Sequence, residues 1–130
     1  LQGIPAVRRT KTYSALSGYV FQYVYAGYRQ QGPDAERPTG QTARDYVFLV
    51  ASQRQAEQEL GIRLPDAIPI ALARHAGRPV SPKECYALAK LKLFRVLDEW
   101  NVADSNPGVI PKTACVTPEE AMEFWETLDL

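Results

Sequence analysis

Residues 12–28 read TYSALSGYVFQYVYAGY, and this stretch decides how the rest of the chain is assembled. Tyr, Val and Phe dominate it, and these residue types suit a pleated, half-buried surface. From Gly18 onward, alternation places Tyr19, Phe21, Tyr23 and Tyr25 on one face of a strand. Val20, Gln22, Val24 and Ala26 take the other face, and Tyr28 closes the run. The Ser17-Gly18 pair supports two readings. It is either a hairpin turn that folds residues 11–16 back onto 19–24, or a bulge in one long bent strand. The long strand is preferred, because Arg8-Arg9-Thr10-Lys11 offers little to pack.

Working outward, residues 29–42 read RQQGPDAERPTGQT, a polar piece with two Gly, two Pro and no apolar periodicity. It predicts a long exposed loop that lasts to residue 44. Residues 45–52, DYVFLVAS, form a second strand that is apolar on both faces and therefore central. It pairs antiparallel with the first strand across the loop. Ser52 and Gln55 then have the spacing of a capping box, so residues 53–60 are expected as a short exposed helix. Residues 61–64 add a short third strand.

Three helices follow. Asp66 serves as the N-cap for residues 67–76, and Gly77 as the stop. Ser81-Pro82-Lys83-Glu84 is the clearest start signal, with an N-cap Ser, a Pro at the first position and a Glu at the third. That helix should run to about Trp100, apolar around most of its circumference and therefore central. Residues 101–115 form a loop with a turn at Asn106-Pro107-Gly108. Thr117-Pro118-Glu119-Glu120 opens a last helix to about Leu128. Strands first and helices after give an α+β fold. The expected form is a small antiparallel sheet of two to three strands packed by three C-terminal helices. Residues 1–130 make a single domain, with 1–11 an extended arm and 29–44 a long loop.

Composition narrows the function. The chain has 130 residues, 45% hydrophobic and 23% charged, which is ordinary for a globular domain. Fifteen basic residues balance fifteen acidic ones, which argues against a strongly basic nucleic-acid binder. No 18-residue apolar run offers a membrane span. The first residue is Leu1 and not Met, so a processed chain is one reading. The cytoplasm is favoured, with an exported mature chain left open. Cys85 and Cys115 read as two thiols rather than a disulfide. With His75 the one histidine, no metal site is expected. Phosphate-loop, dinucleotide and hydrolase motifs are absent. His75 with Cys85 is the one base and thiol pair to consider, and Cys85 on an apolar stripe reads as packing. Lys90, an odd charge beside Phe94 and Leu97, reads as a snorkelling side chain.

The tyrosine stripe is the main candidate. The aliphatic face makes the easier core, which would leave Tyr19, Phe21, Tyr23, Tyr25 and Tyr28 as a partner-binding surface. The alternative is that these rings are themselves core. Arg8, Arg9 and Lys11 are the candidate anion contacts. The leading expectation is a non-catalytic protein-binding or assembly domain, with no cofactor, whose partner is another protein chain or a second copy. The alternative is a single-stranded nucleic-acid binder whose sheet aromatics stack bases. A small enzyme with an unannounced cofactor comes third.

Overall fold

A computed structural model describes residues 1–32, 42–52, 55–100 and 112–128 of the chain. Among these residues, five strands and three helices run in the order β1 (Lys11–Ser14), β2 (Val20–Gln31), β3 (Ala43–Ser52), β4 (Gln55–Pro65), α1 (Ala67–Ala76), α2 (Pro82–Glu99), β5 (Thr113–Cys115) and α3 (Pro118–Leu128). The α+β class holds, but the sheet is larger than two to three strands and is not purely antiparallel. It has five strands in the order β1-β2-β3-β4-β5. The first three pairings are antiparallel, while β5 lies parallel to β4.

Three departures from the sequence reading account for the difference. First, residues 11–28 are a hairpin, not one bent strand. Leu16, Ser17 and Gly18 form its tip: Gly18 N–H donates to Ala15 O (2.9 Å), and Ala15 N–H donates to Tyr19 O (2.8 Å). Gly18 sits at φ +90°, a conformation open to a residue without Cβ. Second, residues 53–54 of the stretch expected as a helix over 53–60 lie outside the described residues, and residues 55–60 are the first half of β4. Its Gln- and Glu-rich composition favours a helix locally, but Leu60, Ile62 and Leu64 alternate towards the core. They lie opposite Phe48, Tyr46 and Arg44 of β3, and pairing with a buried strand outweighs weak local propensity. Third, Thr113–Cys115, expected as loop, adds β5 along Gly61–Arg63 of β4. Three residues are too few to show a period. The expected loop also loses its ends to β2 and β3, and residues 33–41 of it lie outside the described residues. So does the turn at Asn106-Pro107-Gly108.

The helices stand where their start and stop signals place them. Ser81 and Glu84 form a reciprocal capping box: Ser81 Oγ accepts from Glu84 N–H, and the Glu84 carboxylate accepts from Ser81 N–H. Asp66 makes no side-chain cap; its carboxylate instead accepts from the Thr42 hydroxyl. Gly77 ends α1 in the left-handed region. The helices pack on the aromatic face of the sheet. Phe21, Tyr23, Tyr46, Phe48, Val50, Leu60, Ile62 and Leu64 share one core with Leu88, Leu93 and Leu97 of α2 and Phe124 and Trp125 of α3. The other sheet face carries cross-strand ion pairs, Arg29 with Glu59 (2.8 Å) and Arg63 with the buried Asp45 (2.8 Å). Among the described residues, no helix is long and apolar enough to cross a membrane.

Candidate functional site

The aromatic stripe is turned inward, so the expectation that the aliphatic face is the easier core is corrected. Phe21 is 0% and Tyr23 4% exposed. Neither can be part of a flat docking surface, because α2 and Trp100 cover them. Phe21 packs on Trp100 with ring centres 5.2 Å apart, and Tyr23 meets Phe94 edge-on at 5.7 Å. The physical reason is volume. The gap between the sheet and its helices needs large side chains to fill it, and rings fill it better than valines do.

Tyr19, Tyr25 and Tyr28 are half-buried around this core. Tyr28 reaches the aromatic face through an irregularity. A shift of register between Tyr25 and Gly27 inserts an extra residue into β2, which reverses the alternation and puts an even-numbered residue back among the rings. Its ring centre lies 6.3 Å from Tyr46, and the Arg44 guanidinium sits 3.9 Å above it.

The bulge also shapes the sheet edge. β1 pairs with β2 only as far as Lys11 opposite Tyr23. Further along, Gln2 bridges Tyr28, with each residue donating its N–H to the other's carbonyl at 2.8 Å. Gly27 permits this approach, because a Cβ there would stand 2.6 Å from Gln2 O. Between the two anchor points residues 3–10 form an arch that makes no strand pairing. Among the described residues, 24–27 of β2 therefore have no strand partner on that side, while Ile4, Pro5 and Arg8 of the arch border Val24, Ala26 and Leu49. A cleft of about 380 Å³ lies under the arch, lined by Pro5, Ala6, Val7, Arg9, Lys11, Tyr23, Tyr25 and Tyr86. A second hollow of about 180 Å³ opens on the other side of Pro5 and Tyr25, against Val24 and Leu49.

The electrostatics of the larger cleft are one-sided. Arg9 and Lys11 belong to its lining, and among the described residues no carboxylate does. Lys90 adds a third cation, its ammonium 5.7 Å from the centre of the Tyr23 ring. Tyr25 and Tyr86 form the floor, with ring centres 4.9 Å apart and a tilt of 59°. Burial pushes the Tyr25 phenol up to about 12, helped by Tyr46 and Tyr86 beside it. Burial raises Tyr23 and Tyr86 as well, with Lys11 pulling Tyr23 the other way. These phenols therefore stay protonated and can donate a hydrogen bond at any physiological pH.

Of the residues singled out in the sequence, the structure brings together Tyr23, Tyr25, Arg9 and Lys11. Tyr19, Phe21 and Tyr28 do not line the cleft. Arg8 points elsewhere and pairs with Glu57 of β4. Pro5, Ala6, Val7 and Tyr86 were missed as cleft residues. Tyr86 carried the one available signal, an aromatic ring on the apolar stripe of α2; nothing in residues 5–7 announces an arch. Of the pair His75 and Cys85, His75 is exposed on α1, and burial pushes the Cys85 thiol up, which disfavours its thiolate. Cys85 and Cys115 are free thiols. Among the described residues, no group of three or more His, Cys, Asp or Glu side chains stands together.

Compared with known proteins, the chain matches no family model, no curated protein and no solved structure.

Proposed function

We propose that this chain is a non-catalytic protein-binding domain that docks an acidic segment of its partner at the cleft beneath residues 3–10. The observation that supports this reading is the composition of the cleft wall among the described residues: two exposed cations, the half-buried Tyr25 and Tyr86 and no carboxylate, beside a stretch of sheet edge without a strand partner. Tyrosines alone would equally suit a cationic ligand held in an aromatic cage. Arg9, Lys11 and Lys90 reverse that preference, since their field repels a cation and attracts an anion. The base-stacking alternative draws less support. Phe21 and Tyr23, two of the rings it needs, lie under α2 and Trp100, and Arg8 is engaged by Glu57.

The test uses two labelled peptides that alternate Phe with Glu or Phe with Lys, titrated against the full chain by fluorescence anisotropy. The Glu peptide is expected to bind and the Lys peptide not to. Replacing Arg9→Glu and Lys11→Glu together should weaken the Glu peptide by about tenfold or more, because it reverses the sign of the rim. Both side chains are exposed, so folding should survive, which a far-UV spectrum checks. Equal binding of both peptides, or indifference to the double change, would overturn the reading. A concentration-dependent mass for the chain alone, lost in the double variant, would identify the partner as a second copy.

A further inference from the structure

We infer that the cleft captures the C-terminal end of its partner chain, with the terminal carboxylate held by Arg9 and Lys11 and an aromatic last side chain set against Tyr25 and Tyr86. This inference rests on the protein-binding reading above and names the part of the partner that enters.

Geometry carries the argument. The unpaired stretch of β2 is closed at one end by Lys11 opposite Tyr23 and at the other by Gln2 bridging Tyr28. Residues 24–27 span roughly 13 Å as extended chain. An added strand needs to run on past both ends of its pairing site, and here Lys11 and Gln2 already occupy those positions. A continuous segment therefore cannot lie along this edge. Residues 3–10 stand across from it, with Pro5 facing Tyr25 between the two hollows. With both ends of this edge closed, what enters the hollow between the segment and the rings is a chain end or a single side chain.

Chemistry selects the end. A chain terminus is charged, and the cations around the cleft admit only the carboxyl terminus. An arginine and a lysine give charge-assisted hydrogen bonds to a carboxylate, and terminal-carboxylate capture is a recurring mode of peptide recognition. The tilted rings of Tyr25 and Tyr86, 4.9 Å apart, offer a face and an edge to a third ring, an arrangement that aromatic side chains prefer. A volume of about 380 Å³ accommodates one such residue with its carboxylate.

The experiment compares four labelled peptides of one sequence against the full chain. The first ends in Glu-Phe with a free carboxylate, and the second is its C-terminal amide. A third ends in Glu-Ser, and a fourth carries Glu-Phe in the middle with an amidated Gly-Ser tail. The free acid should bind at least about tenfold more tightly than the amide. The Ser peptide should lose affinity, and the fourth peptide should bind like the amide. Arg9→Glu should erase the difference between acid and amide. If the amide or the internal sequence binds as well as the acid, the terminus is not what is recognised, while the protein-binding reading stands. If no peptide binds, both fall.

Discussion

The Tyr13 hydroxyl donates to the carboxylate of Asp98, 2.8 and 2.9 Å from its two oxygens. The same carboxylate accepts the Leu16 N–H at 2.9 Å. One side chain near the end of α2 thus holds both the edge strand and the tip of the first hairpin. The Tyr13 ring lies flat on Phe94, with centres 4.2 Å apart and planes within 3°. β1 is only four residues long and, among the described residues, pairs with β2 alone. This anchor is what fixes it, and with it the Lys11 wall of the cleft.

Tyr13→Phe should therefore destabilise the chain by an amount near the lower end of roughly 1.5–3 kcal/mol, the range for hydrogen bonds to a charged group. Asp98→Ala should cost more, since Leu16 N–H loses its acceptor as well. Denaturant midpoints of the two single variants and the double variant measure the coupling. Simple additivity of the two losses would show that the pair does not act as a unit.

Gly27→Ala tests the arch. Gly27 sits at φ +125°, and a Cβ there meets Gln2 O at 2.6 Å. The variant should lose the bridge between Gln2 and Tyr28 and free residues 1–10, while the core built on Phe21 and Phe48 persists. Limited proteolysis should then cut near Arg8 and Arg9 faster than in the parent. An unchanged cleavage rate would mean that the arch does not depend on this contact.

Asp45 is 6% exposed and faces Arg63 directly across β3 and β4, with the guanidinium bonded to both oxygens at 2.8 and 3.0 Å. Removing one partner of a buried pair leaves the other charge uncompensated. Asp45→Asn should cost about 3 kcal/mol, the low end of what such a loss causes, because Arg63 keeps some solvent. Replacing both residues by Val should cost less than that single change. Urea denaturation of the three proteins decides the order.

Alkali should unfold the chain in a defined window. The phenols of Tyr13, Tyr25 and Tyr46 are each pushed up to about 12, in every case first by burial, and for Tyr13 next by the Asp98 carboxylate. In the unfolded chain each titrates near 10. The folded state holds its protons more tightly, so this contribution to stability is fully present below pH 10. It is lost as pH rises from about 10 to about 12, where the unfolded chain gives up protons that the folded one retains. Thermal melts at stepped pH, read beside phenolate absorbance, should show stability falling across that interval. Level stability through it would contradict the assignment.

The helices were legible in the sequence because their signals are local. Ser81 and Glu84 accept each other's backbone N–H at one helix end, where Pro82 has no N–H to satisfy, and Thr117 with Glu120 repeats the device at α3. The extra strands were not legible. β4 begins in residues that prefer a helix, and β5 is three residues long, so both owe their conformation to a neighbour distant in sequence. The candidate site was half legible. Arg9, Lys11, Tyr23 and Tyr25 stood out by residue type, but which of them share a cleft follows from the bulge at Gly27 and the return of Gln2 to the sheet edge.

What the chain determined by itself is the α+β class, the three helices and the alternation of rings along β2, since capping and periodicity act within a few residues. Tertiary structure alone decided which face of the ribbon was buried, how many strands joined it, and that the two hydrogen bonds exchanged between Gln2 and Tyr28 leave a hollow beside Tyr25. Those outcomes depend on the volume between sheet and helices and on pairing across long stretches of chain, quantities that no local pattern encodes.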